Sequence, residues 1–276
     1  MVPSLSFSPD GTRLATASDF CNIALWNGQT GERVLAFENE GSVWCLTFLS
    51  DGIHLVSSSG EDGGINLWNT TTGMRIGYAQ EHSNRVSCLS SSTTNSQRFA
   101  SGSLDEYVRV WDTTPLACLF TLNCHSSVCS VAFASGDKKL VSISFDEIIR
   151  VWDTDARQKI WSYHLKHTQG DVAIFNNSNC FAVASPYKNS AKFDFKVSSG
   201  PICDYDSAVN ISVSPDDSWL LYLRENRIEL QDLRDREHRK TFNRENVFQA
   251  IFSPDGMHIA SGSRLPYAYY PLFSLL

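Results

Sequence analysis

Short segments of alternating apolar and polar residues recur along the chain, and four of them end in a tryptophan. The four tryptophans are spaced at intervals of 41 to 43 residues: Trp26, Trp68, Trp111 and Trp152. Two further apolar segments precede each tryptophan, and alternation with a period of two is typical of half-buried β-strands. Since no stretch of useful length has a helical period, the pattern predicts an all-β protein made of a repeated unit.

Turn-forming residues separate these segments. They are Pro9-Asp10-Gly11, Asp51-Gly52, Gly136-Asp137 and Pro254-Asp255-Gly256. Glycine, proline and aspartate favour tight turns because of their backbone preferences and short polar side chains. Four short strands in each unit of about 40 residues are the arrangement of a β-propeller blade.

Four stretches of the sequence resemble one known repeat. They are Phe7-Ser8-Pro9-Asp10-Gly11, Ala100-Ser101-Gly102-Ser103, Val108-Arg109-Val110-Trp111-Asp112 and Val151-Trp152-Asp153. Together they resemble the WD40 (β-transducin-like) repeat. The resemblance is strong through Asp153, fades between 167 and 243, and returns at Phe252-Ser253-Pro254-Asp255-Gly256.

This resemblance implies a single WD40 β-propeller domain over residues 1–276, with about seven four-stranded blades and an incomplete last blade. The expected repeats are 1–40, 41–81, 82–124, 125–166, 167–206, 207–244 and 245–276. The fifth repeat has Phe193 and Phe195 near the tryptophan position, and the sixth has Gln231 there. Residues 264–271 fit no repeat, and their prolines argue against an interior strand.

Closure of the propeller is expected to be unusual. The first inner strand starts at Val2, so no extra strand precedes it to complete the last blade. That blade is therefore expected to have three strands at most and an unprotected edge. A piece of a longer protein, or a chain with an altered C-terminus, would have this pattern.

The resemblance also implies a buried hydrogen-bonded network of His, Ser, Asp and Trp side chains in two of the blades. The implied residues are His82, Ser101, Asp105 and Trp111 in one blade, and His125, Ser142, Asp146 and Trp152 in the next. Such a network fixes a turn because each buried polar atom gains a partner. The second repeat has Asn39 at the histidine position, and the first has Phe20 at the aspartate position.

Composition narrows the class of partner and the compartment. A net charge of −7 disfavours nucleic acid and anionic membranes, which bind concentrated positive charge. The chain has neither a long apolar span nor a secretory signal at its N-terminus. Eight cysteines then indicate a reducing compartment. We expect the cytoplasm, with the nucleus as the open alternative.

The sequence contains no recognisable catalytic or cofactor-binding motif. Phosphate-binding loops, nucleophile elbows and zinc-protease helices are all missing from it. Cys118, Cys124, His125 and Cys129 lie close together but lack the paired spacing of metal ligands. Inner strands such as Val43 to Phe48 carry no carboxylate or histidine. We therefore expect no catalytic residue, no metal and no cofactor.

A partner-binding face can be carried over from the family residue by residue. Positions that flank the start of an inner strand, or precede the turn aspartate, often contact partners in WD40 proteins. Here these positions give six candidates: Trp44, Glu61, Arg85, Leu104, Phe145 and Phe248. They would form an apolar cluster with a charged rim, unless several of them turn inward and pack.

The leading functional interpretation is a non-catalytic scaffold that binds other proteins, as a monomeric propeller within a larger assembly. Two alternatives stay open. One is a substrate receptor of a cullin–RING ubiquitin ligase, on the basis of Gln231-Asp232-Leu233-Arg234. The other is the sensor tail of a fungal-type signalling NTPase, on the basis of the regular repeats.

Overall fold

The computed structural model describes most of the chain, and every regular element in that part is a β-strand. The described residues are 4–17, 22–134, 136–165, 170–176, 180–184, 191–194, 203–204, 210–224, 227–235, 238–243, 247–263 and 273–274. Several sequence-based expectations lie outside these ranges, namely those for Val2, Phe20, Phe195 and residues 264–271.

The strands of the N-terminal half form four antiparallel sheets, each built from four consecutive strands. The first sheet contains β1 (Leu5–Phe7), β2 (Arg13–Ala17), β3 (Asn22–Asn27) and β4 (Arg33–Glu38). The second contains β5 (Leu46–Phe48), β6 (His54–Ser59), β7 (Gly64–Asn69) and β8 (Arg75–Ala79). The third contains β9 (Val86–Ser91), β10 (Arg98–Ser103), β11 (Tyr107–Thr113) and β12 (Leu116–Asn123). The fourth contains β13 (Val128–Phe133), β14 (Lys139–Ser144), β15 (Ile148–Asp153) and β16 (Gln158–His164).

The rest of the described chain forms two more four-stranded sheets and one sheet of three strands. The fifth sheet contains β17 (Val172–Ile174), β18 (Cys180–Val183), β19 (Ala191–Asp194) and β20 (Cys203–Asp204). The sixth contains β21 (Ile211–Val213), β22 (Trp219–Arg224), β23 (Arg227–Asp232) and β24 (Arg239–Asn243). The seventh contains β25 (Val247–Phe252), β26 (His258–Ser263) and β27 (Phe273–Ser274). Each sheet lies within one of the seven repeats expected from the sequence.

The hydrophobic core lies between neighbouring sheets that pack face to face. The second strands of the sheets, such as β10 and β14, are buried on both faces, whereas the fourth strands β12 and β16 at the outer edge alternate between buried and exposed residues. Phe99 and Trp111 of the third sheet pack against Val56 and Leu67 of the second. Gly102 permits close approach of the next sheet, because an added Cβ would lie 2.5 Å from a methyl carbon of Val128.

The first strands of the sheets line a central channel. β1, β5, β9, β13, β17, β21 and β25 contact one another in that order, and β25 also contacts β1. Polar side chains of these strands, or next to them, bond to the following sheet. The acceptors and donors on the channel side include Ser4, Cys45, Ser90, Ser130, Asn210 and Gln249.

The first and seventh sheets meet through packing and through a side-chain hydrogen bond. The backbone N–H of Leu5 donates to Oε1 of Gln249 at 2.6 Å. Leu5 and Phe7 share an apolar cluster with Ile251 and Ala260. The seventh sheet therefore contacts the first, with three strands of it in the described part of the chain.

Candidate functional site

A chain of four hydrogen-bonded side chains crosses the third sheet. Nε1 of Trp111 donates to Oγ of Ser101 at 2.8 Å, and this hydroxyl lies 2.7 Å from Nε2 of His82. Nδ1 of His82 lies 2.8 Å from Oδ2 of Asp105. Asp105 also accepts the backbone N–H groups of Ser83 and Tyr107 at 3.1 Å. The network thereby fixes the turn between β10 and β11.

The electrostatics of this network favour a neutral histidine and a charged aspartate. Burial lowers the pKa of His82 below its ordinary value. Burial also opposes the charge on Asp105, but the hydrogen bonds from His82 and the backbone outweigh it and hold the pKa of Asp105 well below its usual range. Arg109 adds an ion pair to Asp105 at 2.8 Å.

The fourth sheet does not use the histidine expected from the sequence, so the placement of His125 in the network is wrong. Nε1 of Trp152 donates to Oγ of Ser142 at 2.9 Å, and the sulfur of Cys124, not His125, lies 3.5 Å from that hydroxyl. Cys124 is buried and His125 is exposed, with a φ of 58°. The cause is the strand period, which directs Leu122 and Cys124 inward and leaves His125 in the following turn.

Asp146 is held by cationic and hydroxyl groups instead of an imidazole. It accepts hydrogen bonds from Ser144 at 2.7 Å and from Nη2 of Arg150 at 2.5 Å. The second sheet differs again, since Nδ2 of Asn66 donates to Oδ1 of Asn39 at 2.6 Å. The turns between second and third strands are therefore fixed by different polar groups in different sheets.

Four of the six predicted partner-binding residues lie around one cavity. Arg85, Leu104, Phe145 and Phe248 line a space of about 350 Å³ at the end of the channel where the first strands begin. Phe145 is 45% exposed and Phe248 is 36% exposed, whereas Leu104 is partly buried. We call this cavity the channel mouth.

The other two predicted residues support the rim of the channel mouth. The guanidinium of Arg85 lies over the ring of Trp44, 4.4 Å from its centroid, and Nη1 of Arg85 lies 3.7 Å from a carboxylate oxygen of Glu61. Trp44 is partly buried and also lines the channel. Trp44 is thus a packing partner of Arg85, and it projects less than the sequence-based hypothesis expects.

Asp171 is a channel residue that sequence reasoning missed. Its Oδ1 accepts hydrogen bonds from Oγ of Ser130 at 2.8 Å and from the backbone N–H of Val172 at 2.9 Å. Nδ2 of Asn210 donates to its Oδ2 at 2.7 Å. Asp171 lies just before β17, where the resemblance to the repeat has faded, and the only signal was a polar residue beside an inner strand.

Thiols also line the channel. Cys45, Cys88 and Cys129 line it, and burial raises the pKa of Cys45 and of Cys129 to about 12. These groups are therefore protonated near neutral pH. Across the described ranges, no three His, Cys, Asp or Glu side chains lie close enough together to hold a metal ion.

Comparison with known proteins places this geometry in a family. The model of the "WD domain, G-beta repeat" family (WD40) matches residues 2–27, 31–69, 75–112 and 116–153, which together make up just over half of the chain. The chain belongs to the WD40 family. Its matched WD40 repeats contain the four tryptophans that donate to a hydroxyl: Trp26, Trp68, Trp111 and Trp152.

Several curated proteins are similar to parts of this WD40 chain. Nuclear distribution protein PAC1 of Arthroderma benhamiae is 28% identical over 196 residues, which are 66% of this chain and 41% of that protein. COMPASS component SWD3 of Saccharomyces cerevisiae is 31% identical over 118 residues, 43% of this chain and 37% of that protein. Protein SUPPRESSOR OF PHYA-105 1 of Arabidopsis thaliana is 29% identical over 143 residues, 49% of this chain and 14% of that protein. The chain thus spans less than half the length of each of these relatives.

A membrane-spanning helix is not found in the part of this WD40 chain that the structure describes.

Proposed function

We propose that the chain is a non-catalytic WD40 scaffold that binds a partner protein at the channel mouth. The observation that carries this proposal is the convergence of Arg85, Leu104, Phe145 and Phe248 on one cavity. Exposed aromatic rings beside an arginine are the composition in which interface binding energy concentrates. One WD40 relative is named as a component of COMPASS, which supports a role within an assembly.

The residues of the channel mouth are held in place before any partner arrives. The backbone N–H of Leu104 donates to the carbonyl of Arg85 at 3.0 Å, and the N–H of Phe145 donates to the carbonyl of Ser127 at 2.8 Å. Oγ of Ser127 donates to the carbonyl of Leu104 at 3.0 Å. A rigid site loses little conformational entropy on binding, which favours affinity.

The same proposal covers the architecture and the location. The seven sheets are the blades of one ring, and the ring acts as a monomer within a complex. Six cysteines of the described ranges are free thiols, namely Cys45, Cys88, Cys118, Cys124, Cys129 and Cys180, which supports the cytoplasm, or the nucleus as the alternative. The cullin–RING receptor and the signalling-NTPase tail stay predictions. Gln231, on which the first depends, is buried.

Partner capture with matched variants tests the proposal. We expect the wild-type chain to capture a small set of proteins from cells. A Phe145→Ala, Phe248→Ala variant should bind these proteins at least about tenfold more weakly, because truncation of a hot-spot residue costs about 2 kcal/mol or more of binding free energy. An Ile160→Ala, Met257→Ala variant removes side chains that are 45% and 48% exposed at other places. Equal capture by all three proteins would contradict the proposal.

A further inference from the structure

Asp171 connects the channel to the channel mouth. It lines both cavities, and among the described residues it is the only charged side chain that lines the channel. In the channel mouth the only other charged lining residue of the described set is Arg85. Hydrogen bonds fix both oxygens of Asp171, so its charge has a defined position.

The groups that contact Asp171 are all neutral. They are the hydroxyl of Ser130, the backbone N–H groups of Val172 and Ile211, and the carboxamide of Asn210. No Lys, Arg or His in the described ranges is ion-paired with it. Arg85 is engaged elsewhere, by Glu61 and by the ring of Trp44. The carboxylate therefore has no counter-charge within this part of the chain.

Burial acts on Asp171 as expected for a carboxyl without a counter-ion. It raises the pKa of Asp171 above the ordinary value. An opposite charge brought within about 4–6 Å favours the ionised form and so gains binding free energy from the carboxylate.

Phe145 and Phe248 surround the approach to Asp171. Both rings line the cavity that Asp171 also lines, and both are exposed. Aromatic faces attract cations, and apolar surface accommodates the methylene stem of a long basic side chain. A free metal ion fits less well, because no three His, Cys, Asp or Glu side chains come together in the described ranges.

We propose that the channel mouth binds a lysine or arginine side chain of the partner protein, with Asp171 as its counter-charge and Phe145 and Phe248 along its stem. This inference rests on the proposed function, and it adds the chemistry of the partner. The chain as a whole carries a formal net charge of −7, which also favours a basic partner segment.

Synthetic peptide pools test this directly. Each pool has random flanking residues and one fixed central residue, which is lysine, arginine, N-acetyl-lysine, glutamine or glutamate. We expect the wild-type chain to bind the lysine or arginine pool at least about tenfold more tightly than the N-acetyl-lysine, glutamine and glutamate pools. Fluorescence polarisation with labelled pools provides the measurement.

Substitution of Asp171 tests whether its carboxylate causes the preference for basic peptides. Asp171→Asn is expected to reduce binding of the basic pools to the level of the glutamine pool. Asp155→Asn is the matched control, since it removes one exposed carboxylate at the turn between β15 and β16, at the opposite end of the sheet. Thermal melting checks folding. If Asp171→Asn does not fold, the wild-type comparison of lysine with N-acetyl-lysine still decides, because it changes only the charge of the peptide.

The outcomes separate this inference from the proposed function. The wild-type chain could bind all the pools equally well, and the Phe145→Ala, Phe248→Ala variant could lose this binding. That result overturns the inference and leaves the proposed function intact. A basic preference retained by Asp171→Asn also overturns it. If no basic pool binds, the inference is overturned, and the partner-capture experiment decides the proposed function independently.

Discussion

A difference of one position separates a structural histidine from an exposed one. His82 bonds to both Ser101 and Asp105. His125 follows a buried cysteine, Cys124, and its backbone N–H donates to the side chain of Asn123. The two histidines look equivalent in the sequence because both precede an inner strand by a few residues. Their surroundings are opposite because side-chain direction alternates with every residue of a strand.

The two histidines should respond differently to the same substitution. We expect His82→Asn to lower the free energy of unfolding by about 1–3 kcal/mol, because buried partners are left without hydrogen bonds. His125→Asn should change it by less than about 0.5 kcal/mol, because the site is exposed and asparagine tolerates a positive φ. Urea unfolding of both variants measures the difference, and equal losses would contradict the assignment of Cys124.

The residues of the site differ in how well the sequence predicts them. Their positions within the repeats are enough to select Phe145 and Phe248 as candidates, and the structure places both at the channel mouth. The sequence predicts the position of Trp44 but not its partial burial, because the contact of Trp44 with Arg85 depends on the neighbouring sheet. The sequence does not predict the role of Asp171, because its partners Ser130 and Asn210 lie 41 and 39 residues away. No local pattern encodes such contacts.

At the scale of elements, equivalent turns are held by different chemistry. The turn after β10 depends on an imidazole and a carboxylate, whereas the turn after β14 depends on Arg150 and Ser144 around Asp146. Only the first of these arrangements contains an imidazole, the side chain whose ordinary pKa lies closest to neutral pH. The third sheet is therefore expected to be more sensitive to mild acid than the fourth.

Mild acid should destabilise the protein through His82. Because burial lowers the pKa of His82 from 6.5, the unfolded chain binds more protons than the folded one as the pH falls below about 6.5. Stability is then present above this pH and declines as the pH falls towards the folded-state pKa. Thermal melting at pH 7.5 and 5.5 should show a decrease for the wild type.

Substitution of each of the two histidines in turn provides the control for this prediction. His82→Gln should have a smaller difference between the two melting temperatures, while exposed His125→Gln should retain the wild-type difference. If His82→Gln melts with the wild-type difference, another group causes the acid sensitivity.

Strands are the part of the structure that the sequence predicts best. The alternation that ends in Trp111 becomes β11, and that strand pairs with β10 and β12. The strands of the fifth sheet are less regular in sequence, and β20 has only two residues. Their pairing depends on burial against neighbouring sheets, as with Phe181 of β18, which packs against Val141 and Ile143.

At the scale of the whole molecule, each sheet is linked mainly to its neighbours. The bond from Leu5 to Gln249 at the junction of the first and seventh sheets is equivalent to the bonds that Ser130 and Asn210 make to the following sheets. The sequence could not predict this closure, because Leu5 and Gln249 are 244 residues apart. The open edge expected from the sequence is a matter of strand pairing alone, whereas the observed contact also uses a side-chain hydrogen bond.

Removal of the closing bond should weaken that junction. We expect Gln249→Ala to lower the free energy of unfolding by about 1 kcal/mol, the net value of a typical hydrogen bond, and to speed hydrogen exchange at the Leu5 amide. Thr47→Ala is the control, since Thr47 also lines the channel but bonds only within its own strand. Equal exchange at Leu5 in both variants would show that packing alone closes the junction.

The position of Asp171 also has a consequence for symmetry. Repeated sheets around an axis give a ring an approximate rotational symmetry, and a ligand on such an axis would have several equivalent orientations. Among the described residues that line the channel, a single carboxylate, that of Asp171 just before β17, removes that equivalence. A partner segment that enters the ring with a charged side chain therefore has a single rotational setting, and the rest of the partner is oriented with it.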